Sequence, residues 1–238
     1  MYLKLYRGIA VKCNKANEII SKIKSHGLRG DEGFWKFIGW RLRGHIDRLF
    51  DKQNLTTKDT REGYPEFPAI AFADELGAYY YALHHNYRPG YIPLVIKIHL
   101  DVRKRYVYVD GRDFLYTVFG LWDKRNLAKM YEVKKVYQIV SDVLRKVYGE
   151  KVLRYFQKAS QSKDSNYRIA VCDLAVHDLE VLLAHFSSEI VIKGRYGVTF
   201  RASFFVEAPI GPEEIIEVFK PDPRKFDFTP DINLYEWL

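Results

Sequence analysis

The side chains able to do chemistry fall in three separated stretches of this sequence. The first is Leu5-Tyr6-Arg7-Gly8, a guanidinium followed by a glycine. The second is Ala69-Ile70-Ala71-Phe72-Ala73-Asp74-Glu75-Leu76-Gly77-Ala78-Tyr79-Tyr80-Tyr81-Ala82, an apolar run leading into a tyrosine-rich one, with Pro93-Leu94-Val95-Ile96-Lys97-Ile98 behind it. The third carries late carboxylates, in Ser187-Ser188-Glu189-Ile190-Val191-Ile192-Lys193-Gly194 and in Phe205-Val206-Glu207-Ala208-Pro209-Ile210-Gly211-Pro212-Glu213-Glu214-Ile215. Other chemistries lack their spacing. His84, His85, His99, His177 and His185 never form HExxH or another ligand pattern, so no metal site is expected. Neither GxxxxGK(S/T) nor GxGxxG occurs, which withdraws the P-loop and Rossmann routes to phosphate binding, and no GxSxG offers a hydrolase nucleophile. Cys13 and Cys172 stand far apart without a CxxC and read as two buried free thiols.

Strands and helices must hold these stretches in place. Leu3, Leu5, Ile9 and Val11 alternate with more polar neighbours, predicting a strand that ends near Lys12; Asn14 then caps a helix carrying Ala16, Ile19, Ile20 and Ile23, which Gly27 closes. Residues 68–73 predict a short buried strand, with Asp74 capping a helix over 75–86. Residues 94–100 and 106–109 predict strands, and Asp110-Gly111 a hairpin turn into a further strand over 114–119. A basic amphipathic helix is predicted over 34–50, with Trp35 and Trp40 beside Lys36, Arg41, Arg43 and Arg48, followed by a surface loop over 51–66. The clearest helical period runs over 132–156, with Gly149 as an interruption; a mobile polar loop over 157–167 and a second helical stretch over 171–186 follow. Residues 190–192 and 198–204 predict two strands joined across Gly194 and Gly197, and from Pro221 a surface segment is anchored by Tyr235 and Trp237.

At 238 residues and 47% hydrophobic, the chain is expected to be one composite domain, 1–238, with a helical block inserted at about 120–186. No fixed-period repeat, membrane-length apolar run or signal-peptide pattern is seen, so a cytoplasmic protein with no membrane partner is expected. Lys and Arg (38) exceed Asp and Glu (30), and the net charge of +8 favours attraction to nucleic acid or another polyanion.

In their order along the chain, the three stretches resemble the ADP-ribosyltransferase superfamily, in the branch with an opening Arg, a central Ser-Thr-Ser strand and a late catalytic Glu. The likeness spans about a third of the chain, over 3–30, 68–100 and 187–219. It implies an α+β fold with a split β-sheet core, flanking helices and the inserted helical block. It also implies NAD as substrate and mono-ADP-ribosyl transfer to a protein or nucleic-acid acceptor. Carried over, Arg7 and Gly8 contact the phosphate or ribose, Phe72, Tyr79, Tyr80 and Tyr81 are candidate cleft walls, and Glu189 or Glu207 is the catalytic carboxylate, with Glu189 preferred. Of the three tyrosines, one is expected at a pocket and the rest in the core.

Two positions depart from the family pattern. Ala71-Phe72-Ala73 stands where Ser-Thr-Ser would be, and an ungapped match of the segment ending in Ile215 puts Ser203 at the Glu position and Arg201 at its companion. Matching Glu189 to Gly194 instead keeps the Glu and inserts a hairpin after it. The residue types suit the chemistry: departure of nicotinamide builds positive charge on the ribose, which a carboxylate stabilises, and a guanidinium fits a pyrophosphate. The other reading is a non-catalytic nucleic-acid-binding module on the same scaffold, using the bases of 36–48 and 124–158. The oligomeric state is not fixed by the sequence.

Overall fold

A computed structural model of the chain describes residues 1–29, 69–119 and 134–236. The opening alternation makes β1 (Tyr2–Lys12), which lies antiparallel to β3 (Tyr91–Asp101) along its whole length, Tyr2 opposite Asp101 and Lys12 opposite Tyr91. Leu3, Leu5, Leu94, Ile96 and Ile98 bury into one core from these two strands, and burial of such apolar area is the main force holding the pair. β2 (Ala69–Ala73) joins the other edge of β1, with Tyr6 opposite Ala73, and β7 (Ser203–Glu207) pairs with β2 from Ala69–Glu207 to Ala73–Ser203. β4 (Val107–Val109) and β8 (Ile215–Phe219) complete a six-stranded antiparallel sheet in the order β4-β7-β2-β1-β3-β8. A second, three-stranded sheet sets β5 (Ile192–Lys193) between β6 (Thr199–Phe200) and β9 (Ile232–Asn233). The chain is therefore α+β, with a larger and a smaller sheet.

α1 (Ala16–His26) follows a 3-10 turn at Cys13–Lys15, so the expected Asn14 cap gives way to Lys15, with no side-chain cap. Gly27 ends the helix at φ 72° and lets Leu28 bridge to Ile210, where a Cβ would collide with the Ile210 carbonyl. α2 (Glu75–Tyr80) has its predicted Asp74 cap, whose carboxylate accepts from Leu76 and Gly77 N–H, and it widens into a π turn at Tyr81–His85.

The expected hairpin at Asp110-Gly111 is overturned. The Asp110 carboxylate is held by the backbone N–H of Arg112 (3.1 Å) and by its Nε (2.7 Å), which turns the chain into the short helix α3 (Leu115–Val118). Phe114, Leu115 and Phe119 are buried, so that run packs in the core instead of adding a strand, and β4 takes β7 as its partner.

The helical block comprises α4 (Lys134–Tyr148), α5 (Lys151–Ser160), α6 (Ser165–His177) and α7 (Leu179–Phe186). Gly149, at φ 77°, does interrupt the long helical period. The loop predicted over 157–167 shrinks to 161–164 because α5 continues through buried Ala159 to Ser160. Asp178 divides the last stretch by capping α7 through Glu180 and Val181 N–H. The strand predicted over 198–204 also divides: Thr199–Phe200 stays in the small sheet, while Ser203 starts β7 in the large one. The basic helix over 34–50, the loop over 51–66 and Trp237 lie outside the described residues. Among those described, no helix is long and apolar enough to cross a membrane.

Candidate functional site

A hollow of about 510 Å³ opens over β1, β2 and the start of β7, within the size range of small-molecule sites. Its β1 wall is Tyr6, Arg7 and Gly8. A Cβ at Gly8 would strike the Ala78 carbonyl oxygen and come within 2.7 Å of Ala82 N, so the glycine is what lets α2 and its π turn lie on the strand. The Asn86 side chain then donates to Gly8 O at 3.1 Å, fixing that approach. Arg7 Nη1 donates to Ala71 O at 2.6 Å, which lays the guanidinium across β2. Ala69, Ala71 and Ala73 leave room for it, so this floor offers methyl groups and one carbonyl. Phe72 is nearly fully buried opposite Phe204 and lines the hollow as well.

The charged side of the hollow comes from the turn after β4, through Asp110, Arg112 and Asp113. Arg112 forms an ion pair with Asp110 and lies over the Phe205 ring at 4.5 Å. Asp113 Oδ1 accepts from Tyr196 N–H at 3.1 Å, and Oδ2 accepts from the Tyr81 hydroxyl at 3.4 Å. Burial, and then the neighbouring Asp110 charge, raise the Asp113 carboxyl to about 6. Burial and the same Asp113 push the Tyr81 phenol well above its ordinary range. At the foot, Ser203 Oγ donates to Asp110 O at 3.1 Å, and Ser203 N–H donates to His185 Nε2 at 3.0 Å. Burial drives His185 down to about 3, so its ring is neutral at physiological pH, as an accepting Nε2 requires.

Of the residues expected at the site, Arg7, Gly8 and Phe72 meet in this hollow. Tyr79 and Tyr80 do not. Tyr79 packs edge-on to Phe226 at 4.9 Å beneath Lys225, and Tyr80 packs edge-on to Phe228 at 5.5 Å. Successive helical residues point about 100° apart, so three adjacent tyrosines cannot share a face, and Tyr81 is the one turned to the hollow. Neither expected glutamate lines it. The Glu189 side chain is 88% exposed with its carboxylate 3.8 Å from Arg201 Nε, and Glu207, opposite Ala69 at the far end of β7, accepts from Tyr106 N–H at 3.2 Å. Ser203, the residue of the ungapped match, does line the hollow.

Asp113 and Arg112 were not among the residues expected at the site, although Arg112 carried a signal. Among the described residues Asp-x-Arg occurs at Asp101-Val102-Arg103, Asp110-Gly111-Arg112 and Asp222-Pro223-Arg224, and in all three the carboxylate accepts from both the backbone N–H and the Nε of the arginine. Among the described residues, no group of three or more His, Cys, Asp or Glu could hold a metal ion. Of the bases proposed for nucleic acid, Arg145 pairs with Asp142 and Glu150, and Lys151 with Asp178 and Glu180. Lys146 and Arg154 are exposed, while residues 36–48 lie outside the described part. Comparisons with protein-family models, with curated proteins and with solved structures each returned no match.

Proposed function

We propose that this protein is an NAD-dependent mono-ADP-ribosyltransferase of the cytoplasm, acting on a protein or nucleic-acid acceptor, with the hollow over β1, β2 and β7 as its NAD cleft. One observation carries the reading: Arg7 and Phe72, from two motifs far apart in sequence, line a single hollow together with Ser203, the residue at the Glu position of the ungapped match. The chemistry at that place fits a dinucleotide. Arg7, with exposed Arg29 at the same hollow, offers guanidinium donors to a pyrophosphate. Tyr81, only partly buried, gives flat apolar surface for a nicotinamide or adenine ring. The net charge of +8 favours a polyanionic acceptor.

The test is calorimetric titration with NAD, followed by incubation with labelled NAD and DNA, RNA or a cell lysate. Binding to the parent protein is expected, with transfer or slow hydrolysis of NAD. Arg7→Ala is expected to weaken binding by about tenfold to a hundredfold, the range for a hydrogen bond to a charged group. No binding, no transfer and no hydrolysis would remove the enzyme reading. The non-catalytic nucleic-acid module would instead show DNA or RNA affinity that falls steeply with salt, lost on replacing Lys146 and Arg154 and indifferent to Arg7.

A further inference from the structure

The hollow holds two carboxylates, and their surroundings separate them. Both oxygens of Asp110 are taken by Arg112, Oδ1 by its backbone N–H and Nε and Oδ2 by its terminal nitrogen. Asp113 differs: Oδ1 accepts a single backbone N–H, from Tyr196, and Oδ2 has the Tyr81 hydroxyl at 3.4 Å, the limit of a hydrogen bond. Its backbone is fixed as well, because Asp113 O accepts from Arg195 N–H at 2.7 Å and a Cβ at Gly194 would stand 2.7 Å from the Asp113 Cβ. Asp113 is thus a buried, immobilised carboxylate in the hollow that Arg7 lines, whereas Glu189 and Glu207 lie outside it.

Building on the NAD reading above, we propose that Asp113 is the catalytic carboxylate of this cleft: it faces the ribose carbon that loses nicotinamide and accepts the proton of the incoming acceptor. In the step, the bond between ribose C1′ and the nicotinamide nitrogen breaks, and its electron pair leaves on nicotinamide, which becomes neutral. The positive charge moves to the ribosyl centre, where the Asp113 carboxylate opposes it. A hydroxyl or amine of the acceptor, or water, then forms the new bond to C1′ and gives up its proton to Asp113. A fixed negative group costs no reorganisation as the charge develops, the condition under which such stabilisation is largest. The groups facing Asp113 are Asp110 and Arg112 on its own turn, Tyr81 from the π turn, and the N–H groups of Arg195 and Tyr196 from the loop after β5, with Arg7 and His85 elsewhere on the hollow's wall. With a carboxyl raised to about 6, the ionised form dominates at neutral pH yet can still take up a proton.

Asp113→Asn keeps an acceptor for Tyr196 N–H and removes the charge. The experiment measures nicotinamide release and NAD affinity for the parent, Asp113→Asn, Glu189→Gln and Glu207→Gln, with a thermal melt of each. The expected result is loss of release by a hundredfold or more in Asp113→Asn with NAD affinity within threefold of the parent. The parent rate is also expected to fall as pH drops below about 6, a dependence absent from the variant's residual rate. Full release by Asp113→Asn, or a matching loss only in Glu189→Gln or Glu207→Gln, overturns the assignment while leaving the NAD reading standing. A parent that binds NAD but releases no nicotinamide overturns it too, and a parent that does not bind NAD overturns both.

Discussion

Two buried aspartates, one at the junction of α5 and α7 and one in the hollow, show how similar burial serves different ends. Asp178 Oδ1 accepts from Glu180 N–H at 2.8 Å and Val181 N–H at 3.3 Å, and its Oδ2 meets the Tyr155 hydroxyl at 2.7 Å and Lys151 Nζ at 2.9 Å. Donors of three kinds satisfy it, and its work is to pin the helices. Asp113 is also buried but has one firm partner and one long one, next to a 510 Å³ hollow. A fully satisfied buried charge anchors structure, while an under-satisfied one at an open space is fit for chemistry.

The largest effect should come from breaking the first site. Asp178→Ala strands Lys151 and the Tyr155 hydroxyl and removes a helix cap, which should cost about 3–5 kcal/mol in denaturant unfolding. Gly8→Val should follow at about 3 kcal/mol, since its side chain would displace α2 from β1; NAD binding should fall with the melting temperature. Asp113→Asn should stand apart, melting at or above the parent's temperature at pH 7 because a buried charge next to Asp110 is gone. A melting temperature well below the parent's would mean that Asp113 is a structural anchor like Asp178.

Acidity sharpens the contrast. Asp113, with a folded value of about 6 against an ordinary value near 3.9, holds more protons folded than unfolded between those limits, so its contribution to stability falls as pH rises from about 4 to 6. His185, held near 3 against about 6.5 unfolded, does the reverse: the unfolded chain takes up its proton first, and stability falls as pH drops through that window. The two oppose each other, so Asp113→Asn should steepen acid destabilisation between pH 6 and 4 by up to about 1.4 kcal/mol per pH unit, measured as the pH slope of unfolding free energy. The smallest effect is expected at the exposed copy of the Asp-x-Arg turn, where Arg224→Ala should leave the melting temperature within experimental error, its 88% exposed side chain and the exposed Asp222 carboxylate being screened by water.

How much of this was legible in the sequence depended on how local the deciding contact is. The Asp74 cap, the Gly27 stop and the break at Gly149 are set by residues within one turn, and each was readable. Asp110-Gly111 misled because the local pair favours a hairpin, whereas Arg112 captures the carboxylate and the buried Phe114 and Phe119 draw the chain into the core. The fate of Tyr79 and Tyr80 rests on Phe226 and Phe228, far along the chain, which no local pattern reveals. Arg7, Gly8 and Phe72 were marked by the order of their motifs, and the antiparallel pairing of β1 with β2 brings them to one hollow. Asp113, which also lines the hollow, lies in the turn that the Asp-Gly pair misstates, while the expected glutamates came from the order of the motifs.

Asp74 has a consequence beyond starting α2. The same carboxylate oxygen that caps Gly77 N–H also takes Arg201 N–H at 3.1 Å, and Asp74 N–H donates to Ala202 O, immediately before Ser203. One partly buried side chain therefore sets the phase of a helix and of a strand more than a hundred residues away, so Tyr81 and Ser203 are positioned from a common joint. In hydrogen–deuterium exchange the amides of Gly77 and Arg201 should open together and with the same free energy, as a single cooperative unit.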